Sequence, residues 1–250
     1  MLTDLRSILA LAEEKGCAIP AFNCYTQECV MGVLEAAKET GAPVIFQMFS
    51  RLADTNDGNF VAPAILEAIR QLPQPAVMHL DHGAGIPEVV RAIRLGMTGV
   101  MIDASTLPLE ENIAMTKLAA ELCSYAGVPV EGELGHVGAT KDEVLGNYTD
   151  VAEAERFVKE TGVSALAVMV GTAHGRYKKA PVLDIQRIRD IREATGKLPL
   201  VLHGVLVVAA GSLLVVVPAF PAPVPPAALW VLALVPVSAL IHPASVRVCL

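Results

Sequence analysis

Three histidines carry the strongest chemical signal in this chain. His82, His174 and His203 each stand just after a short apolar run and just before a glycine, in Leu80-Asp81-His82-Gly83, Thr172-Ala173-His174-Gly175 and Val201-Leu202-His203-Gly204. A single histidine is more often a satisfied structural residue than a ligand, and His79, His136 and His242 are read that way. Three imidazoles gathered at one mouth, with a coordination position left open, have the layout of a catalytic zinc. A glycine after each lets backbone and substrate approach the metal closely. Carboxylates accompany them: Asp81 beside His82, Asp103 after Met101-Ile102, and Glu131 and Glu133 around Gly132. Asp81 also suits a helix N-cap before Ile86-Pro87-Glu88, and Asp103 suits a cap before the helix that follows it. Glu131 is read as structural.

Residues so far apart in the chain meet only if the elements bearing them end in one place. Short apolar runs occur at 18–23, 44–48, 76–80, 99–102, 128–134, 165–170 and 200–202. They are rich in aliphatic and β-branched residues with little polar alternation, as in parallel strands buried on both faces. Between them lie helical repeats, such as Val30, Val33, Leu34 and Ala37, or Ile65, Ala68, Ile69 and Leu72. A longer helix is expected from Pro108 to Tyr125, opening with Pro and two glutamates in its first turn. Strand and helix alternating in this way predict a parallel α/β fold. Doubly wound sheets share the pattern, but no G-x-G-x-x-G follows the first strand. The expectation is a (β/α)8 TIM barrel with seven strands recognisable in residues 1–204 and the eighth missing or replaced. In a barrel, catalytic groups lie at the C-terminal ends of strands. Ser50, Asp81, His82, Asp103, Glu133, His174 and His203 all obey that rule.

The segments His79-Leu80-Asp81-His82-Gly83, Met101-Ile102-Asp103-Ala104-Ser105, Glu131-Gly132-Glu133-Leu134-Gly135, Gly171-Thr172-Ala173-His174-Gly175 and Pro199-Leu200-Val201-Leu202-His203-Gly204 resemble, in order, the motifs of class II fructose- or tagatose-bisphosphate aldolases. The resemblance covers residues 1–204. It implies that His82, His174 and His203 hold a catalytic zinc, and that Asp81 donates and accepts the proton at the hydroxyl that becomes the aldehyde. It implies a second divalent metal at Asp103 and Glu133, as in parts of the family, and a monovalent cation as a further candidate. Ser50 matches a contact to the aldehyde-side phosphate, and Gly175 and Gly204 match contacts to the dihydroxyacetone phosphate part. Zinc acting as a Lewis acid stabilises the negative charge left on oxygen, so no lysine Schiff base is required. Asp81 beside a cation stays ionised and able to take a proton. Arg176, Lys178 and Lys179 suit either a phosphate at the mouth or a solvated loop. The family often carries Gly-Gly-x-Glu-Asp in the loop spanning 135–148, with its Glu as a second acid–base group. Here the loop reads Gly138-Ala139-Thr140-Lys141-Asp142-Glu143, with Lys141 where that Glu would stand.

Composition divides the chain of 250 residues in two. All charged side chains but Arg247 fall within residues 1–204, and 205–250 are built almost wholly of Val, Ala, Leu and Pro. Where the family continues with Gly-Ser and an Asn-x-x-Thr/Asp strand, both gripping phosphate, this chain reads Val205-Leu206-Val207-Val208-Ala209-Ala210-Gly211. The apolar stretches are too short to span a bilayer and are broken by prolines. An out-of-frame translation of the C-terminal coding region accounts best for such a composition. A net charge of −7 provides no nucleic-acid footprint. Five scattered cysteines without a C-x-x-C pair fit reduced thiols in the cytoplasm. The expected partner is a small sugar bisphosphate, with a homo-oligomer as in relatives and no membrane. The reading is an aldehyde-lyase, with activity impaired by the altered C-terminus. The alternative is an inactive zinc-binding or membrane-associated product.

Overall fold

The computed structural model describes residues 1–136, 148–173 and 182–204. Its first helix, α1 (Leu5–Lys15), starts where Asp4 accepts a hydrogen bond from the Ser7 amide, and ends at Gly16 in the left-handed region. Leu5, Ile8, Leu9 and Ala12 form its buried face. Strand–helix units follow: β1 (Ala21–Asn23) and α2 (Gln27–Thr40), then β2 (Val44–Phe49) with the short α3 (Ser50–Ala53) and α4 (Gly58–Arg70). The series continues with β3 (Ala76–Gly83), α5 (Ile86–Arg94), β4 (Gly99–Ile102), α6 (Leu109–Ala126), β5 (Val130–Leu134), α7 (Val151–Thr161), β6 (Ala165–Val168), α8 (Ile185–Ala194) and β7 (Leu200–Val201). All seven expected strands are present, within a few residues of their expected ends.

The strands pair in parallel and in chain order, from β1 to β7. A doubly wound sheet reverses its order at a switch point; an uninterrupted succession is the topology of a barrel wall. β1 and β7 are the ends of this curled sheet, and no eighth strand occurs among the described residues.

Two apolar clusters line the two faces. One packs the outer face against the helices and includes Phe46, Met78, Leu80, Ile102 and Phe157. The other fills the N-terminal end of the interior, where α1 meets Ala21, Ile45, Val77, Met101, Ala165 and Val201. Side chains on a strand alternate between faces, so residues two apart share one. Two or four residues beyond this apolar floor, the interior therefore presents Asn23, Gln47, His79, Asp81, Asp103 and His203. Glu131 and Glu133 share the inward face of β5, with Gly132 between them facing out. A Cβ on Gly132 would meet Phe157 Cε1 at 2.8 Å, so the ring of Phe157, fully buried, occupies the space that glycine leaves. Phe157→Ala is expected to cost about 3–5 kcal/mol. In urea unfolding this would appear as a lower midpoint at an unchanged slope.

Candidate metal centre

Asp81 is the last inward residue of β3 before the mouth, and His82 follows it directly. Strict alternation would turn His82 away from Asp81 and out of the interior. Two local features prevent that. The β3–β4 register shifts between Leu80 and Gly83, and His82 adopts φ 49°. A left-handed backbone at a non-glycine residue is strained, and such strain is held where function needs it. Both side chains thereby reach one site. His82 Nε2 lies 4.0 Å from Asp81 Oδ1, and His203 Nδ1 lies 4.0 Å from the same oxygen. The His82 and His203 rings meet edge to face with centroids 4.7 Å apart. The opposite ring nitrogen of His82, Nδ1, lies 2.7 Å from Asp103 Oδ2 and 3.8 Å from Glu133 Oε2.

His82 thus stands between two groups, Asp81–His82–His203 and His82–Asp103–Glu133. Within each, the candidate ligand atoms lie within 4.8 Å of one another. Asp81, Glu133 and His203 are buried, while His82 and Asp103 are partly open to the mouth. Within the described residues, the ion pairs of Asp81, Asp103 and Glu131 are all with histidine, not with lysine or arginine. Buried acids stacked against imidazoles suit a divalent cation, and the mixed nitrogen and oxygen donors suit zinc.

The electrostatics have the same origin. Burial opposes a charged His82 ring, but the hydrogen bond to Asp103 and the charges of Asp81, Glu133 and Asp103 outweigh it and raise the group to about 10. Burial likewise opposes charge on His203, yet its bond to Glu131 leaves it raised. For Asp81, burial pushes upward, while His82, His203 and a hydrogen bond from Asn23 pull it below the ordinary carboxylate value. Asp103 is held far below that value, against burial, by its bond to and the charge of His82.

Asn23 and Gln47 were not singled out from the sequence. Asn23 Nδ2 donates to Asp81 Oδ2 at 2.7 Å, and Gln47 Nε2 donates to Asp81 Oδ1 at 3.3 Å. Each carboxylate oxygen of Asp81 is therefore oriented by an amide. Glu131, read from sequence as structural, places Oε1 2.9 Å from His203 Nε2. The capping alternatives fall away: α5 is capped by Gly85 and α6 by Pro108. Asp103 Oδ1 instead accepts from the Ser105 amide at 3.1 Å, and Ser105 Oγ lies 3.1 Å from Glu133 Oε1. Asn112 on α6 donates to the Glu133 carbonyl at 2.9 Å and anchors that end of β5.

Ser50 is buried at the start of α3, immediately after the β2 residue that pairs with Asp81. Gly204 is buried with φ 71°, a conformation that glycine adopts without strain. His174, Gly175, Arg176, Lys178 and Lys179 lie outside the described residues. So do residues 137–147 of the loop and the segment 205–250.

The model of the class II fructose-bisphosphate aldolase family matches residues 3–212, running past Gly204 into the apolar segment. The chain belongs to that family. Class II aldolases are aldehyde-lyases and, as a family, zinc enzymes. The fructose-bisphosphate aldolase of Staphylococcus aureus (strain COL) is 38% identical over 209 residues, which are 81% of this chain and 73% of that protein. The 6-phospho-5-dehydro-2-deoxy-D-gluconate aldolase of Bacillus licheniformis is 41% identical over 209 residues, 80% of this chain and 70% of that protein. Among solved structures, the YdjI aldolase of Escherichia coli K12 superposes with a TM-score of 0.73 at 35% identity, covering 82% of this chain and 73% of that one. The barrel topology expected from the sequence is thus shared with class II aldolases, and the match covers 70–73% of the length of these relatives.

Proposed function

We propose that the chain is a zinc-dependent ketose-bisphosphate aldolase. It would reversibly cleave fructose 1,6-bisphosphate or tagatose 1,6-bisphosphate to dihydroxyacetone phosphate and glyceraldehyde 3-phosphate. The observation that carries this reading is the meeting of Asp81, His82 and His203 at one strand-end mouth, with candidate ligand atoms within 4.8 Å of one another. His82, His203 and His174 would hold the zinc, and Asp103 and Glu133 would hold a second divalent ion. The bound ion supplies Lewis-acid polarisation of substrate oxygen.

The chain's own residues do the rest. Asp81, kept ionised by the neighbouring imidazoles, takes the proton from the substrate hydroxyl that becomes the aldehyde and returns it in the condensation direction. Asn23 and Gln47 hold its two oxygens so that the carboxylate does not rotate away from that hydroxyl. Ser50, Gly175 and Gly204 would bind the phosphates. The sequence after Gly204 lacks the family's Gly-Ser and Asn-x-x-Thr/Asp phosphate motifs, so turnover is expected to be slower than in family members that carry them. Scattered cysteines without a C-x-x-C pair support a cytoplasmic site of action. No helix among the described residues is long and apolar enough to cross a membrane. Because one relative is named for 6-phospho-5-dehydro-2-deoxy-D-gluconate, that ketone belongs beside both bisphosphates in the substrate panel.

The purified chain is expected to take up zinc. Its cleavage of fructose 1,6-bisphosphate should vanish with EDTA, return with added zinc and survive borohydride treatment in the presence of substrate. Cleavage that persists in EDTA, or that borohydride blocks through a trapped Schiff base, would overturn the proposal.

A further inference from the structure

Below the metal-facing groups lies a buried layer that the reaction does not use directly. Glu131, fully buried on the inward face of β5, has an imidazole on each side: His203 Nε2 is 2.9 Å from Oε1, and His79 Nε2 is 3.5 Å from Oε2. Both rings are themselves fully buried. On the far side of His79, Gln47 Nε2 lies 3.5 Å from His79 Nδ1 and also donates to Asp81.

The directions of these bonds follow from the groups involved. An amide nitrogen only donates, so His79 Nδ1 is an acceptor and the ring proton sits on Nε2, facing Glu131. Burial holds this ring neutral by lowering its affinity for a second proton. A carboxylate only accepts, so His203 Nε2 also carries a proton towards Glu131. The lone-pair nitrogen of a neutral His203 is then Nδ1, the atom that lies 4.0 Å from Asp81 Oδ1 in the metal-competent group. A ligand histidine that donates its remote N–H to a carboxylate is fixed in both tautomer and ring orientation.

We infer that Glu131 is a positioning residue for the metal centre: by accepting from His203, with the other oxygen facing His79, it fixes His203 to ligate through Nδ1. This rests on the zinc reading above. A carboxylate has no donor, so each of its oxygens can face an N–H group. Glutamine in its place offers one acceptor and one donor, so one of the two histidines must face an N–H with its own N–H. Either His203 turns its tautomer, which places a proton on the ligating nitrogen, or His79 breaks from Gln47.

Glu131→Gln is therefore expected to weaken zinc binding about 10–100-fold, the range for loss of a supporting carboxylate. The measurement is competition with a chromophoric chelator on the full chain. The visible spectrum of the cobalt-substituted protein should change as well. Glu131→Asp keeps two acceptors but shortens the reach, so an intermediate loss is expected. A merely structural role would lower the unfolding midpoint of the metal-free protein while leaving zinc affinity within twofold and the cobalt spectrum unaltered; that result would overturn the inference. If neither variant folds, nitrogen NMR shifts of the unsubstituted chain decide the matter. His203 must show a protonated Nε2 and a metal-bound Nδ1, and the reverse assignment overturns the inference. A chain that takes up no zinc at all sinks the proposed function itself, a different result from a Glu131→Gln variant that binds zinc as tightly as its parent.

Discussion

Asp81→Asn is expected to slow aldol cleavage about 10²–10⁴-fold, the range for loss of a positioned acid–base group, while zinc content stays unchanged. The substitution preserves volume and planarity in a site that is nearly closed to solvent, so the barrel wall has no cavity to collapse into. It also preserves an acceptor for the Asn23 amide 2.7 Å away. What disappears is the ability to take a proton, together with the acceptor for the Gln47 amide 3.3 Å away. His82 and His203 keep the carboxylate ionised, as a base needs at neutral pH, and an amide has no equivalent state. The check is a coupled assay for dihydroxyacetone phosphate formation, run beside metal analysis on the same preparation. A rate within tenfold of the parent would remove Asp81 from the chemistry. Loss of zinc with the activity would instead make Asp81 a ligand.

How much of this centre can be read in the sequence depends on what each residue's neighbours require. Asp81, Asp103, Glu133 and His203 stand at the ends of apolar runs, where a barrel places its chemistry, so topology alone points to them. Gln47 and Glu131 are harder because they lie within the strands, and Asn23, although the last residue of β1, belongs to no motif. A signal for Gln47 does exist. It is the one polar residue in Val44-Ile45-Phe46-Gln47-Met48-Phe49, a strand with neither face in water, and such a residue must find a buried partner. Asn23 and His79 align with Gln47 across β1, β2 and β3, which makes a polar layer out of residues that look incidental singly. Glu131 looks structural because a glutamate within a strand has no distinctive partner in sequence. Its partner, His203, arrives from the other end of the chain. The positive φ at His82 has no sequence signature at all. Period-two alternation predicts that Asp81 and His82 face opposite ways, and only the register shift brings them together. His174 and Gly175 are read from motif alone.

His82→Ala is expected to weaken zinc binding by more than about 100-fold, beyond the loss expected at Glu131, because a ligand is removed rather than its support. His203→Ala should impair only the Asp81–His82–His203 group, whereas His82 serves both groups, facing Asp81 through Nε2 and pairing with Asp103 through Nδ1. The two variants therefore separate in a titration with a second divalent ion: His82→Ala weakens both binding phases and His203→Ala leaves the weaker one unchanged. The metal-free fold provides an independent check. Truncating His82 keeps the left-handed backbone, so no strain is relieved. Substitution by glycine relieves about 1–2 kcal/mol of it. Removing the ring leaves Asp103 without its 2.7 Å partner, and breaking a largely buried pair of this kind costs about 3–5 kcal/mol. The larger quantity decides the sign, so even His82→Gly should unfold at lower urea concentration than the parent. A glycine variant more stable than the parent would mean that the pairing with Asp103 contributes less than the strain it holds, and that the tight geometry is maintained for the metal alone.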